Sequence, residues 1–136
     1  MLASRRGLSE ASKPKSDREV QRLDGQAIQW SDFEKVDMRV GVVVHAEPFP
    51  EARRPAYKLW IDLGSLGVKR SSAQITDRYT LEALLGRQVI CVVNFPPKQV
   101  GPFTSEVLVM GAYTGRPAQV VLLRPDEPVK PGDKVG

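Results

Sequence analysis

An all-β protein, folded as a small five-stranded barrel, is what the order of elements along this chain predicts. Three observations point to it. Short β-type runs separated by turn residues fill the region from Met38 to Ser72. A capped helical segment follows at Thr80–Leu85. Two apolar runs, 89–93 and 107–110, then flank a stiff segment holding Asn94, Pro96, Pro97, Lys98, Gly101 and Pro102. At 136 residues the chain is long enough for one domain with a real core and short for two.

Residues 1–27 are expected to be a disordered extension, because they are rich in Ser, Lys, Arg, Asp and Glu with almost no large apolar side chains. A translation start set too far upstream would read the same way, and a basic arm touching a polyanion is the sharper alternative. The domain is assigned to 28–136. It opens with Trp30-Ser31-Asp32-Phe33, where Ser31 is the expected N-cap of a short helical turn.

Strand one covers 38–46. Strict alternation puts Met38, Val40, Val42, Val44 and Ala46 on one face and Arg39, Gly41, Val43 and His45 on the other. A loop rich in Pro and charge ends it, carrying Phe49, Arg53 and Arg54. Strand two, 57–63, turns Tyr57, Leu59, Ile61 and Leu63 inward and Lys58, Trp60 and Asp62 outward. A turn at Gly64–Gly67 leads to strand three, 68–72. Thr80 caps the short helix, with Gly86 just past its last turn. Strand four is 88–93, strand five 107–113, and a further apolar run at 119–123 adds strand material beyond the fifth strand. Three strands, a helix and two strands is the order of an OB-fold, a partly open Greek-key barrel.

The runs 89–93, 107–110 and 120–123 are apolar on both faces. Such runs imply a cover on the outside of the barrel, either the chain's own termini or a second copy; a homodimer is expected.

Composition excludes several classes. With one Cys and one His, neither an internal disulfide nor an ordinary zinc site can be assembled. The absence of a disulfide suits a reducing cytosol. No apolar run approaches the ~20 residues of a membrane span, and the first residues lack the apolar core of a secretory signal. No phosphate-binding glycine loop is present, His45 has no Ser or Cys near it in sequence, and the carboxylates form no suggestive pair. An enzyme is therefore not expected, nor is a cofactor.

Binding features are stronger. Arg39, Lys58, Trp60 and Lys69 occupy outward positions on three consecutive strands, a cationic face around an aromatic platform. It suits phosphates and stacked bases, or equally an extended peptide anchored on Trp60. A solvated face with one half-covered Trp is the plain alternative. Lys69-Arg70 at strand three and Arg53 in the first long loop add cations. Asn94, Phe95 and Lys98 sit on the loop between two buried strands, where a rigid scaffold positions binding groups. Phe49, Phe95 and Phe103 are candidates for an apolar contact surface or for packing.

The segments Asp32–Gly41, Phe49–Arg53, Ser71–Thr76, Val92–Pro97 and Ser105–Val109 occur in an order and spacing that closely resemble the CsaA proteins, over about Ser31 to Lys134. These are export-related chaperones with a tRNA-binding-type OB-fold domain. The resemblance implies a dimeric cytosolic protein that holds unfolded or pre-export polypeptides without nucleotide. Delivery to the Sec translocase, with SecA as a partner, is the implied route. The chain is more distantly similar to the tRNA-binding modules of methionyl- and phenylalanyl-tRNA synthetases, which implies tRNA as the alternative ligand. Those modules carry a Ser-x-Gly-Met pattern after the Asn-containing loop. Here Ser105 is kept, but Glu106-Val107-Leu108 follows, which favours the chaperone branch. The resulting candidate set is Arg39, Phe49, Arg53, Lys58, Trp60, Lys69, Arg70, Asn94, Phe95, Lys98, Phe103 and Ser105.

Overall fold

The computed structural model describes residues 26–136; the extension expected over residues 1–27 lies outside them except for its last two residues. The chain divides into two compact units at Lys35/Val36. In the first, α1 (Trp30–Glu34) is one helical turn with its Trp30 and Phe33 rings 5.4 Å apart. Its N-cap is Gln29 rather than Ser31, because the Asp32 carboxylate accepts from the Gln29 N–H at 2.9 Å.

The second unit is the barrel. Strands β1 (Met38–Pro48), β2 (Tyr57–Asp62) and β3 (Val68–Ala73) form the expected meander, with a 3-10 turn at Gly64–Leu66 between the last two. Helix α2 (Leu81–Leu84) follows; Thr80 Oγ1 accepts from Ala83 N–H, and Gly86 takes φ +78 just beyond it. Strand β4 (Gln88–Val92) returns beside β1. Then come β5 (Lys98–Val100), β6 (Phe103–Ser105), β7 (Leu108–Val109), β8 (Gly111–Thr114), β9 (Gln119–Leu122) and β10 (Lys134–Val135). The main sheet has the order β3-β2-β1-β4-β7, all neighbours antiparallel. Its two edges meet where Arg70 O accepts from the N–H groups of Glu106 (2.8 Å) and Val107 (3.3 Å). The fold is thus a nearly closed OB-fold barrel with a C-terminal strand elaboration. Val43, Leu59, Ile61, Leu63, Leu84, Val89 and Cys91 are fully buried at its centre.

Three departures from the sequence reading have local causes. Alternation in β1 breaks at a bulge: Val43 pairs Ile61 and His45 pairs Trp60, so Val44 is the extra residue. Val43 and Ala46 thus both face the core while Val44 is exposed, a spacing that strict alternation does not allow. The expected fifth strand, 107–113, changes partner at Met110. β7 pairs β4, but from Gly111 the chain forms a hairpin with β9. A side chain at Gly111 would run into Val120 and Val121, so only glycine allows that approach. The stiff loop after β4 also contains a hairpin of its own, β5–β6, turning at Gly101-Pro102 with Gly101 at φ +53.

The chain covers part of its own outside. Strand β10 pairs with the start of β1, and Gln88 binds Val129 main chain in both directions. Leu108 and Tyr113 nevertheless stay exposed, Tyr113 at 82%.

Candidate polypeptide or nucleic-acid cleft

Elements that end or begin at one end of the barrel enclose a cleft of about 360 Å³. Leu63 and Leu66 follow β2, Lys69 lies on β3, Val93, Asn94, Phe95 and Pro97 follow β4, Glu106 and Val107 precede β7, and Asp37 precedes β1. Most of this lining is apolar, with Asp37, Lys69, Asn94 and Glu106 as its polar groups.

The loop after β4 is held by main-chain and side-chain bonds. Val93 N–H donates to Asp37 O at 2.9 Å, and Asp37 N–H donates to Asn94 Oδ1 at 3.0 Å. The Asp37 carboxylate in turn takes Arg39, with Nε at 2.7 Å from Oδ1. Arg39 Nη1 also donates to Gly132 O. Arg39 is thus a brace behind the cleft, not a free cation. Pro96 and Pro97 stiffen the loop by fixing φ, and Phe95 is left with 55% of its surface exposed.

On the opposite lip, Glu106 Oε1 accepts from Arg70 N–H at 3.0 Å and faces Arg70 Nε at 3.3 Å. Ser105 Oγ accepts from Ser72 N–H at 3.0 Å. These bonds give the β3 edge main-chain partners where the barrel closes. Among the described residues, Lys69 has no ion-pair partner.

The outer face of β2 and β3, expected to be an open platform, is covered instead. Phe49 and Phe103 are buried and form a second small core with Ala56, against which Trp60, Ala52 and Val100 pack. Trp60 sits between His45 at 4.9 Å and Phe103 at 5.8 Å, and Phe49 meets Phe103 at 5.5 Å. Lys58 Nζ lies 5.1 Å from the Phe49 ring, and Arg70 Cζ lies 5.5 Å from the Phe103 ring. Of the two alternatives for Phe49 and Phe103, packing is the one the structure takes, and the exposed contact surface they would have built with Trp60 is corrected: large aromatic area on two loops is more favourable buried against the sheet than wet. Trp60 is consequently no open stacking platform, and Phe95 is the member of that apolar set left outside.

The structure therefore brings Lys69, Asn94 and Phe95 into one cleft, with Arg39, Arg70 and Ser105 as supports around it. It places Lys58, Trp60, Phe49 and Phe103 in the aromatic layer, with exposed Arg53 on the β1–β2 loop and exposed Lys98 at the start of β5. Leu63, Leu66, Val93 and Val107 were not singled out in the sequence, since apolar residues at strand ends carry no signal distinct from core. Glu106 did carry one, as the acidic residue that follows the retained Ser105; Asp37 was not singled out.

Cys91 is no part of any site. It is fully buried, and burial pushes its thiol up to about 12. Among the described residues no group of His, Cys, Asp and Glu could hold a metal ion, and no helix is long and apolar enough to cross a membrane.

Comparison with known proteins matches this geometry to a family. The profile described as "Putative tRNA binding domain" matches residues 38–134. The crystal structure of chaperone CsaA from Bacillus anthracis str. Ames is 51% identical in sequence, with a TM-score of 0.77, covering 81% of this chain and 99% of that one. The CsaA chaperone protein from Picrophilus torridus is 50% identical, with a TM-score of 0.76, covering 81% of this chain and 100% of that one. A methionine–tRNA ligase from Nanoarchaeum equitans is 36% identical over 110 residues, covering 79% of this chain and 13% of the ligase. The chain thus spans a small fraction of the curated ligases it matches. With a tRNA-binding-type profile over most of its length, and solved CsaA structures that it covers end to end, the chain belongs to the CsaA branch of the tRNA-binding domain family.

Proposed function

We propose that this chain is a binding protein rather than an enzyme: a CsaA-like, nucleotide-independent chaperone that holds unfolded or pre-export polypeptide for the Sec pathway. The observation that carries this reading is the cleft. It is half-open, mostly apolar and edged by the exposed Phe95, with opposite charges at Lys69 and Glu106. Clients that share no sequence can be held only by contacts that need none, and apolar area at roughly 25 cal/mol per Å² supplies most of the affinity. The full-length likeness to two CsaA structures supports the same assignment. The working form is a cytosolic homodimer, with SecA as the acceptor of the held chain. Exposed Leu108 on β7 and Tyr113 on β8 support self-association.

A second reading, tRNA binding, is favoured by one specific observation. Lys69 in the cleft and the exposed Arg53 and Lys98 have no ion-pair partner among the described residues, so they are available to phosphates. Phe95 would then stack a base at roughly 1–3 kcal/mol.

Phe95→Ser tests the first reading. The variant should fold as the wild type, since Phe95 is exposed, and should lose most of its suppression of aggregation of a reduced, unfolded client. Full suppression by the variant would remove the cleft from the account.

A further inference from the structure

We propose that Glu106 sets the ligand class of the cleft, by holding Arg70 on the protein's own carboxylate so that this cation cannot serve an anionic ligand. The inference rests on the reading of the cleft as a polypeptide site.

Glu106 and Arg70 meet at the seam where the barrel closes. Glu106 Oε1 accepts from the Arg70 N–H at 3.0 Å and from its Nε–H at 3.3 Å. The guanidinium also rests near the Phe103 ring, with Cζ 5.5 Å from the ring centroid. Two anchors on one side chain fix its direction. The pair is partly sheltered, with side chains 28% (Glu106) and 41% (Arg70) exposed, so it is screened less than an open surface pair.

Glu106 is also a wall of the cleft, beside Lys69 and Asn94. A phosphate drawn to Lys69 finds the next cation along β3, Arg70, already neutralised by Glu106. A polypeptide main chain carries no net charge and has no need of that cation. The sheltered pair therefore discriminates by withdrawal of a partner, without any contact to the favoured ligand.

The structural and electrostatic roles of Glu106 separate cleanly. Its carboxylate oxygen gives the Arg70 N–H an acceptor at the closed edge, and its own N–H donates to Arg70 O at 2.8 Å. A glutamine keeps the acceptor and the shape while removing the charge.

The test uses the full chain and bulk tRNA, with affinity measured at ~50 and ~200 mM salt. E106Q should melt as the wild type and bind tRNA about tenfold tighter at the lower salt, the worth of one hydrogen bond gained to a charged group. Its log–log salt slope should steepen by about one, the release expected for one further phosphate contact. E106Q/R70Q should return to the wild-type affinity and slope. A folded E106Q with wild-type affinity and slope overturns the proposal, as does an E106Q/R70Q that keeps the gain. If E106Q does not fold, the salt slope of R70Q decides: it should stay at the wild-type value, and a slope shallower by about one shows Arg70 already contacting a phosphate. Holding of an unfolded client by the wild type is measured in parallel. Its absence defeats the polypeptide reading, while the response of tRNA binding to E106Q still judges the role of Glu106.

Discussion

Asp37 and Asn94, 57 residues apart in the chain, are joined by a hydrogen bond from the Asp37 N–H to Asn94 Oδ1 at 3.0 Å. The bond ties the entry of β1 to the loop that forms one lip of the cleft. The asparagine most readily taken for a ligand contact is therefore also the loop's fastening. Asn94→Ala should cost about 1 kcal/mol, the net worth of such a bond, lowering the melting midpoint by about 4 °C. It should also weaken client holding. Asn94→Asp keeps an acceptor oxygen at the same place and should recover most of the midpoint. Thermal melts of the three proteins check this.

The aromatic layer predicts a different response. Phe103 is buried between Trp60 and Phe49, with Lys58 and Arg70 over its ring. Phe103→Ala should cost about 3 kcal/mol, the lower end for such truncations because the site is a small satellite core at the surface. It should also shift Trp60 emission to longer wavelength as water reaches the ring. A red shift without a stability loss would mean that the two loops are held by contacts other than this layer.

Cys91 should be inert. Burial raises its thiol to about 12, so at pH 8 it is neutral in the folded chain and closed to alkylating reagents. Labelling should appear only with denaturant. The same shift gives a sign for alkaline stability. The folded chain disfavours the thiolate, so the full contribution is present below the unfolded thiol value of 9.0 and is lost as pH rises from there towards about 12. Cys91→Ala should flatten that part of the stability curve, as read by denaturant melts at pH 8 and pH 10.

Self-association has its own readout. Tyr113 on β8 is 82% exposed and Leu108 on β7 is 49% exposed. Light scattering at micromolar concentration should give twice the chain mass. Tyr113→Ser/Leu108→Ser should give the single chain mass with little change in secondary structure. A monomeric wild type would remove the dimer from the account.

Much of the barrel was legible in the sequence because its signals are local. The meander showed as period-two runs, and α2 showed as Thr80 with Gly86. Closure was not legible, because it depends on Arg70 meeting Glu106 and Ser72 meeting Ser105 across more than thirty residues. The bulge at Val44 was invisible for another reason: one extra apolar residue in an apolar strand leaves the pattern unchanged. The β5–β6 hairpin did leave a mark, Gly101-Pro102 between Val100 and Phe103, but it read as loop because two prolines precede it. At the candidate cleft, sequence position singled out Lys69, Asn94 and Phe95, which line it together. For Phe49 and Phe103 it left contact surface and packing both open, and for Trp60 an open or half-covered face, since alternation says which face of a sheet a residue takes but not whether a loop covers that face.

The central claim is that apolar contact, not phosphate binding, supplies the affinity of the cleft. Its most direct test is a pair of titrations of the purified chain, against a reduced unfolded client and against bulk tRNA, each at ~50 and ~200 mM salt. Client holding should be flat or slightly stronger at the higher salt, while any tRNA binding should collapse through counterion release. Nanomolar tRNA binding at physiological salt, with no binding of the unfolded client, would contradict the account.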